Sequence, residues 1–104
     1  MILRLWHGWT SYANADAYAS HLREEVLPGI RQRVAGYRGA YVLRRDAGDE
    51  VEFVTLTLFT SMDDIREFAG DDHEQAVVPP TARELLSHFD ERSTHYEVVL
   101  EPDG

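Results

Sequence analysis

Residues 51–72 read VEFVTLTLFTSMDDIREFAGDD, and their pattern decides the fold. Val51 to Thr60 is rich in β-branched and aromatic side chains, which suit a pleated strand. Alternation places Val51, Phe53, Thr55, Thr57 and Phe59 on one face. It places Glu52, Val54, Leu56, Leu58 and Thr60 on the other. Both faces are largely apolar, so both need cover. Ser61 followed by Asp64 resembles a capping box that opens a helix. The buried stripe of that helix is Met62, Ile65, Phe68 and Ala69, and Gly70 ends it. A chain of 104 residues can cover one face of the strand with its own helices. The second face is expected to meet a second copy, giving a homodimer through the sheet.

The rest of the chain supplies partners for this strand. Ile2 to Trp9 reads as a first strand, with Leu3, Leu5, His7 and Trp9 on one face and Ile2, Arg4, Trp6 and Gly8 on the other. Helical spacing of Tyr18, Leu22, Val26 and Ile30 predicts a helix from about Ala15, capped by Asn14 or Asp16. Pro28 is expected to kink or break it at Leu27, and Gly36 to mark its end. Tyr37 to Arg45 is the second strand, with a bulge or close contact expected at Gly39. Asp46-Ala47-Gly48-Asp49 then turns the chain into the third. Beyond Gly70, Asp71 to Glu74 opens a single turn, stopped by Pro79-Pro80. Thr81 with Glu84 predicts a capped short helix burying Leu85, Leu86 and Phe89, and His95 to Leu100 is the last strand. The order β-α-β-β-α-β, with an extra short helix, is the ferredoxin-like α+β pattern in a single domain spanning 1–104.

Composition removes several function classes. There is no cysteine, which excludes disulfides, thiolate metal ligands and a cysteine nucleophile. A net charge of −9 argues against nucleic acid and anionic membranes as partners. The cations are all arginine, so lysine Schiff-base chemistry is excluded too. The start, MILRLWHGW, is too short and polar for a signal peptide, and a soluble cytoplasmic protein is expected. There is no Gly-rich phosphate loop, nucleophile elbow or His-x-x-x-His pair.

WHGW at 6–9, YVLRR at 41–45, EFVTLTLF at 52–59, DDIREFAGDD at 63–72 and HYEVV at 95–99 resemble small bacterial proteins of the dimeric α/β-barrel superfamily, near the antibiotic biosynthesis monooxygenase domains. The resemblance covers essentially the whole chain. It implies ferredoxin-like protomers whose sheets face each other in a dimer. It also implies an enzyme of the cofactor-independent monooxygenase kind, acting on a small aromatic or polyketide-like substrate. The alternative is a non-catalytic dimeric module that binds a small molecule or serves in stress. In haem-degrading relatives a tryptophan stands where this chain has Phe68, the haem-ligating histidine where it has Val78, and an asparagine lies on the first strand, where this chain has none. All three positions depart from the pattern, so haem degradation is not expected, and no cofactor or metal is assigned.

The candidate chemistry lies in histidines and aromatics. If Arg4 sits opposite Val98, an antiparallel register puts His7 opposite His95 and Leu5 opposite Glu97. Two imidazoles with Glu97 or His73 beside them have the donors of a metal site or a general base. The plainer account is two surface histidines, and a slip of one residue abolishes the pair. Trp6, with Trp9, Tyr12, Tyr41, Phe59, Phe68 and Tyr96, is a candidate to line a pocket for a flat aromatic ligand, or else these side chains form ordinary core and dimer interface. His73, His7 and His95 are the candidate bases, and Arg4 or Arg44 the candidate holder of an oxyanion. His21 and Glu25, spaced i, i+4, read as a local surface pair, although Tyr18 and His21 lie on the helix that covers the sheet.

Overall fold

The computed structural model describes residues 1–102. The strand β1 (Ile2–Ser11) runs through the middle of an antiparallel sheet. On one side it pairs with β3 (Glu50–Phe59) from Ile2↔Phe59 to Ser11↔Glu50, and β3 pairs in turn with β2 (Tyr37–Ala47) at the far edge. Two short strands share the other side of β1. Residues 8–10 face β4 (Leu86–Phe89), and residues 2–5 face β5 (Thr94–Glu97). The architecture is α+β and ferredoxin-like. Among the described residues no helix is long and apolar enough to cross a membrane.

Helices cover one face of the sheet. Ser11 ends β1 and also caps α1 (Tyr12–His21), its hydroxyl accepting from the Asn14 backbone N–H. The helix therefore begins before Ala15, and neither Asn14 nor Asp16 is its cap. Asn14 instead donates to the Leu85 carbonyl at 3.2 Å, and Asp16 pairs with Arg44 at 3.0 Å. A π-helical turn, Leu22–Val26, follows and leads into α2 (Leu27–Arg33). Pro28 does not break the chain's path at Leu27. The wider turn, closed by the Leu27 N–H on the Leu22 carbonyl, accommodates the proline's missing donor.

Gly36 serves a different purpose from ending the helix, which Val34 caps in extended conformation. Gly36 lies against the Asp64 carboxylate, where any Cβ would collide. That carboxylate completes the Ser61–Asp64 capping box of α3 (Met62–Ala69). Gly70 ends α3 with φ +91, and the Gly39 bulge forms as the sequence indicates.

The segment after α3 departs most from expectation. Pro80, fixed in φ and lacking a donor, opens α4 (Pro80–Leu85) one residue ahead of Thr81, so the Thr81–Glu84 box does not form. Leu86 to Phe89 is strand, not helix. It fills the part of the β1 edge that β5 leaves free. Gly8 admits this close approach, since a Cβ there would meet Trp6 and Leu86 at 2.8 and 2.9 Å. The last strand is Thr94–Glu97 and not His95 to Leu100; Val99 and Leu100 are exposed.

Val51, Phe53 and Phe59 of β3 are wholly buried under the helices. They belong to two clusters, one around Tyr18, Leu22 and Ala82 and one around Ile30, Tyr37 and Ile65. The opposite face carries Leu3, Leu5, Val54, Leu56 and Leu58, with Tyr41, Leu43 and Tyr96 47–57% exposed. None of the described helices covers it.

Gly36→Ala should destabilise the fold by about 1–3 kcal/mol through overpacking. Asp64→Ala should lose about 1 kcal/mol with the cap. The double variant should be more stable than the sum implies, because the methyl group added at position 36 then has room. Urea unfolding of the three proteins checks this; strict additivity would show that the two positions do not touch.

Candidate functional site

A cavity of about 60 Å³ lies between the helical layer and the sheet, and residues of both core clusters line it. Its wall is mainly apolar: Trp6, Leu22, Val26, Leu27, Ile30, Phe68 and Val78. Its polar groups are Arg4, Tyr18, Thr55, Thr57 and Ser93. An apolar cavity with a few placed polar groups is the usual form of a small-molecule site.

Arg4 is the charged member of that wall and is only 4% exposed. Alternation along β1 turns it, with Trp6, toward the helices. Its guanidinium donates to the carbonyls of His73 and Gln75, the latter at 2.8 Å, and approaches His95 Nε2 at 2.9 Å. It also lies 5.5 Å from the centre of the Phe68 ring. Among the described residues no carboxylate pairs with it. Burial brings its pKa down to about 10, so it stays charged at neutral pH.

Two hydroxyls share its surroundings. Thr55 Oγ1 and Ser93 Oγ are buried, line the same cavity and have no hydrogen-bond partner among the described residues. Groups of this kind are expensive to bury unless something binds them. Tyr18 is 1% exposed, and burial pushes its phenol pKa up, so it is a donor and not a base. The Trp6 indole is fixed by donating to the Asp90 carbonyl at 2.7 Å.

The histidines are arranged differently from the sequence expectation. Arg4 pairs with His95, not with Val98, so His7 is not opposite His95, and Leu5 meets Thr94 instead of Glu97. His7 lies on the open face of the sheet, its Nδ1 2.9 Å from Asp90 and its Nε2 3.8 Å from Glu52. His95 sits behind Arg4, with His73 at a ring distance of 5.4 Å. None of His7, His73 and His95 lines the cavity. Of the candidate pocket residues, Arg4, Trp6 and Phe68 line it, whereas Tyr41 and Tyr96 are on the open face. Arg44 pairs with Asp16 at the surface.

His73, Glu74 and His95 each bring one donor atom within 4.8 Å of the others, which is the donor set of a two-histidine, one-carboxylate metal site. Arg4 opposes that use. A guanidinium only donates, so it occupies the His95 Nε2 lone pair and sets positive charge beside it. Nδ1 must then carry the ring proton. Burial, then Arg4 and His73, lower the His95 pKa, against a smaller opposing effect of Glu74.

No protein-family model and no curated protein matches the chain. Solved structures do match in fold. A mutant of MhuD, with two manganese protoporphyrin IX molecules bound per active site, is 17% identical over 100% of both chains with a TM-score of 0.67. A candidate antibiotic biosynthesis monooxygenase from Bacillus cereus is 12% identical over 99% of this chain and 97% of its own, with a TM-score of 0.68. An uncharacterised NIPSNAP domain protein from Burkholderia xenovorans is 17% identical over 99% and 100%, with a TM-score of 0.61. The likeness is one of fold: the chain's ferredoxin-like α+β architecture is shared with these structures.

His95 makes stability depend on pH. Its folded pKa lies below the ordinary value of 6.5, so the stability contributed by the neutral ring is complete above 6.5 and is lost as pH falls through the lowered folded value. The stability advantage of wild type over His95→Gln should therefore shrink as pH falls below 6.5. Urea midpoints of the two proteins across that range measure it; a constant difference would show that the ring gains no stability from being neutral.

Proposed function

We propose that this cavity binds a small, single-ring aromatic compound, with Arg4 holding an oxygen of the ligand that bears or gains negative charge. The observation that carries this reading is the buried Arg4 guanidinium, which has no acidic partner among the described residues and borders an apolar cavity. The unpartnered hydroxyls of Thr55 and Ser93, which line the same cavity, support the reading as further groups for that oxygen. A volume of about 60 Å³ is far too small for a porphyrin or a fused polyketide, and a single aromatic ring fits only by extending into the adjoining groove of about 390 Å³, which shares Val26, Ile30 and Phe68 with the cavity wall.

The fold shared with a candidate antibiotic biosynthesis monooxygenase supports chemistry of the monooxygenase kind, and the proposal is that it runs without a cofactor. A positive charge in a water-poor cavity favours the anionic form of the aromatic ligand. Such an anion is electron-rich and can itself reduce O₂, with no metal or flavin. A second reading, binding without turnover, is favoured by a cavity lining that contains no histidine. Oxygen uptake with a bound phenol separates the two.

The proposal includes a homodimer through the open sheet face. Leu3, Leu5, Val54, Leu56 and Tyr41 form a continuous apolar surface that the described helices leave bare. A patch of this kind on a small domain marks an interface.

Arg4→Met should weaken binding of 4-nitrophenol by about 10–100-fold, the worth of a charged hydrogen bond. Ser93→Ala and Thr55→Val should each cost about threefold to tenfold. Isothermal titration measures these effects, and unchanged affinity in all three variants would remove the cavity as the binding site. If the wild type sediments as a dimer, Leu56→Glu should lose that dimer, leaving monomer or aggregated protein; a folded variant that still sediments as a dimer would place the interface elsewhere.

A further inference from the structure

We infer that His21, oriented by Glu25, accepts a proton from the bound ligand; this rests on the proposed reading of the cavity as a phenol site. His21 is the last residue of α1, and its side chain is 9% exposed. Its Nδ1 lies 2.8 Å from the Glu25 carboxylate. A carboxylate only accepts, so the neutral imidazole carries its proton on Nδ1 and leaves a lone pair on Nε2. That Nε2 is buried and has no hydrogen-bond partner among the described residues. A histidine kept only for a surface pair would leave this nitrogen to water.

His21 lines a groove that continues the cavity. The two share Val26, Ile30, Phe68, Val77 and Pro79 in their walls. The π-helical turn Leu22–Val26 follows His21 directly and contains Glu25, and such turns are frequent at functional sites.

A second buried imidazole nitrogen without a partner, Nδ1 of His95, must carry a proton because Arg4 occupies Nε2. It can donate and not accept. His7 and His88 are bound to carboxylates on the opposite face of the sheet. His73 lines neither the cavity nor the groove, so the free lone pair at the cavity's edge belongs to His21.

Arg4 and His21 then act on opposite ends of one ligand. The ligand class is an aromatic hydroxyl compound whose ring conjugates the hydroxyl to an oxygen acceptor at the far end. The acceptor meets Arg4, and the hydroxyl faces His21. The O–H bond breaks, the proton goes to Nε2, and the electron pair stays on the ligand, delocalised through the ring toward Arg4. The resulting imidazolium is held beside Glu25, which makes Glu25 a positioning residue.

The test uses 4-nitrophenol, whose anion absorbs visible light. At a pH where the free compound is mostly neutral, the compound bound to wild type should be ionised, and the ¹⁵N resonance of His21 Nε2 should move to its protonated position. In His21→Gln the ionised fraction of bound compound should fall at least about tenfold. Glu25→Gln should lower it less. An equal ionised fraction in His21→Gln, or an unmoved His21 resonance in wild type, would overturn the role of His21 while leaving the phenol site standing. No binding by wild type at all would overturn both.

Discussion

A guanidinium buried without an acid is the constraint on which the rest of this structure depends. Arg4 enters the interior because β1 alternates, and its charge is costly there unless hydrogen-bonded. The carbonyls of His73 and Gln75 meet that need, and in doing so they hold the irregular segment between α3 and α4 against the sheet. The surface supports the same arrangement, where Arg92 pairs with Asp72 and Glu74 and the Ala76 N–H bonds the Glu91 carbonyl. Because all the acceptors of Arg4 are neutral, its charge remains uncompensated where it borders the cavity. The proposed binding of an oxygen that carries negative charge rests on that field more than on any single hydrogen bond.

The sheet divides the labour between its faces. Inward residues of β1 and β3, Arg4, Trp6, Thr55 and Thr57, form the floor of the cavity. Outward residues of the same strands, Leu3, Leu5, Val54 and Leu56, form the bare apolar face. Covering the outward face would stiffen the strands that carry the cavity floor. The helical layer contributes differently. Its π-helical turn lets the chain pass Pro28 without a break, so Leu22, Val26, Leu27 and Ile30 form one continuous roof.

Much of this was legible in the sequence where local chemistry is strong. The two-faced β3, the Ser61–Asp64 capping box, the Gly39 bulge and the turn at Gly48 all follow from side-chain pattern and backbone preference. Arg4 and Trp6 were also legible as neighbours on one face of β1, and both line the cavity, as does Phe68. What failed depended on long-range contacts. Leu85, Leu86 and Phe89 have helical spacing, yet an open stretch of β1 edge draws Leu86 to Phe89 into the sheet. That added strand and the turn after it set the β5 register, so Arg4 meets His95 and not Val98. Thr55 and Ser93 carry no signal as lone hydroxyls, because their meaning lies in being buried together beside Arg4. The i, i+4 spacing of His21 and Glu25 was plain, but not the burial of the ring.

The central claim, that Arg4 makes this cavity a site for an aromatic ligand with an anionic oxygen, is tested most directly by a crystal structure of the protein soaked in 4-nitrophenol. The account predicts one molecule in the cavity, its nitro oxygens within hydrogen-bond reach of Arg4 and its hydroxyl toward His21. A cavity without ligand, or a ligand seated only on the open sheet face, would contradict it.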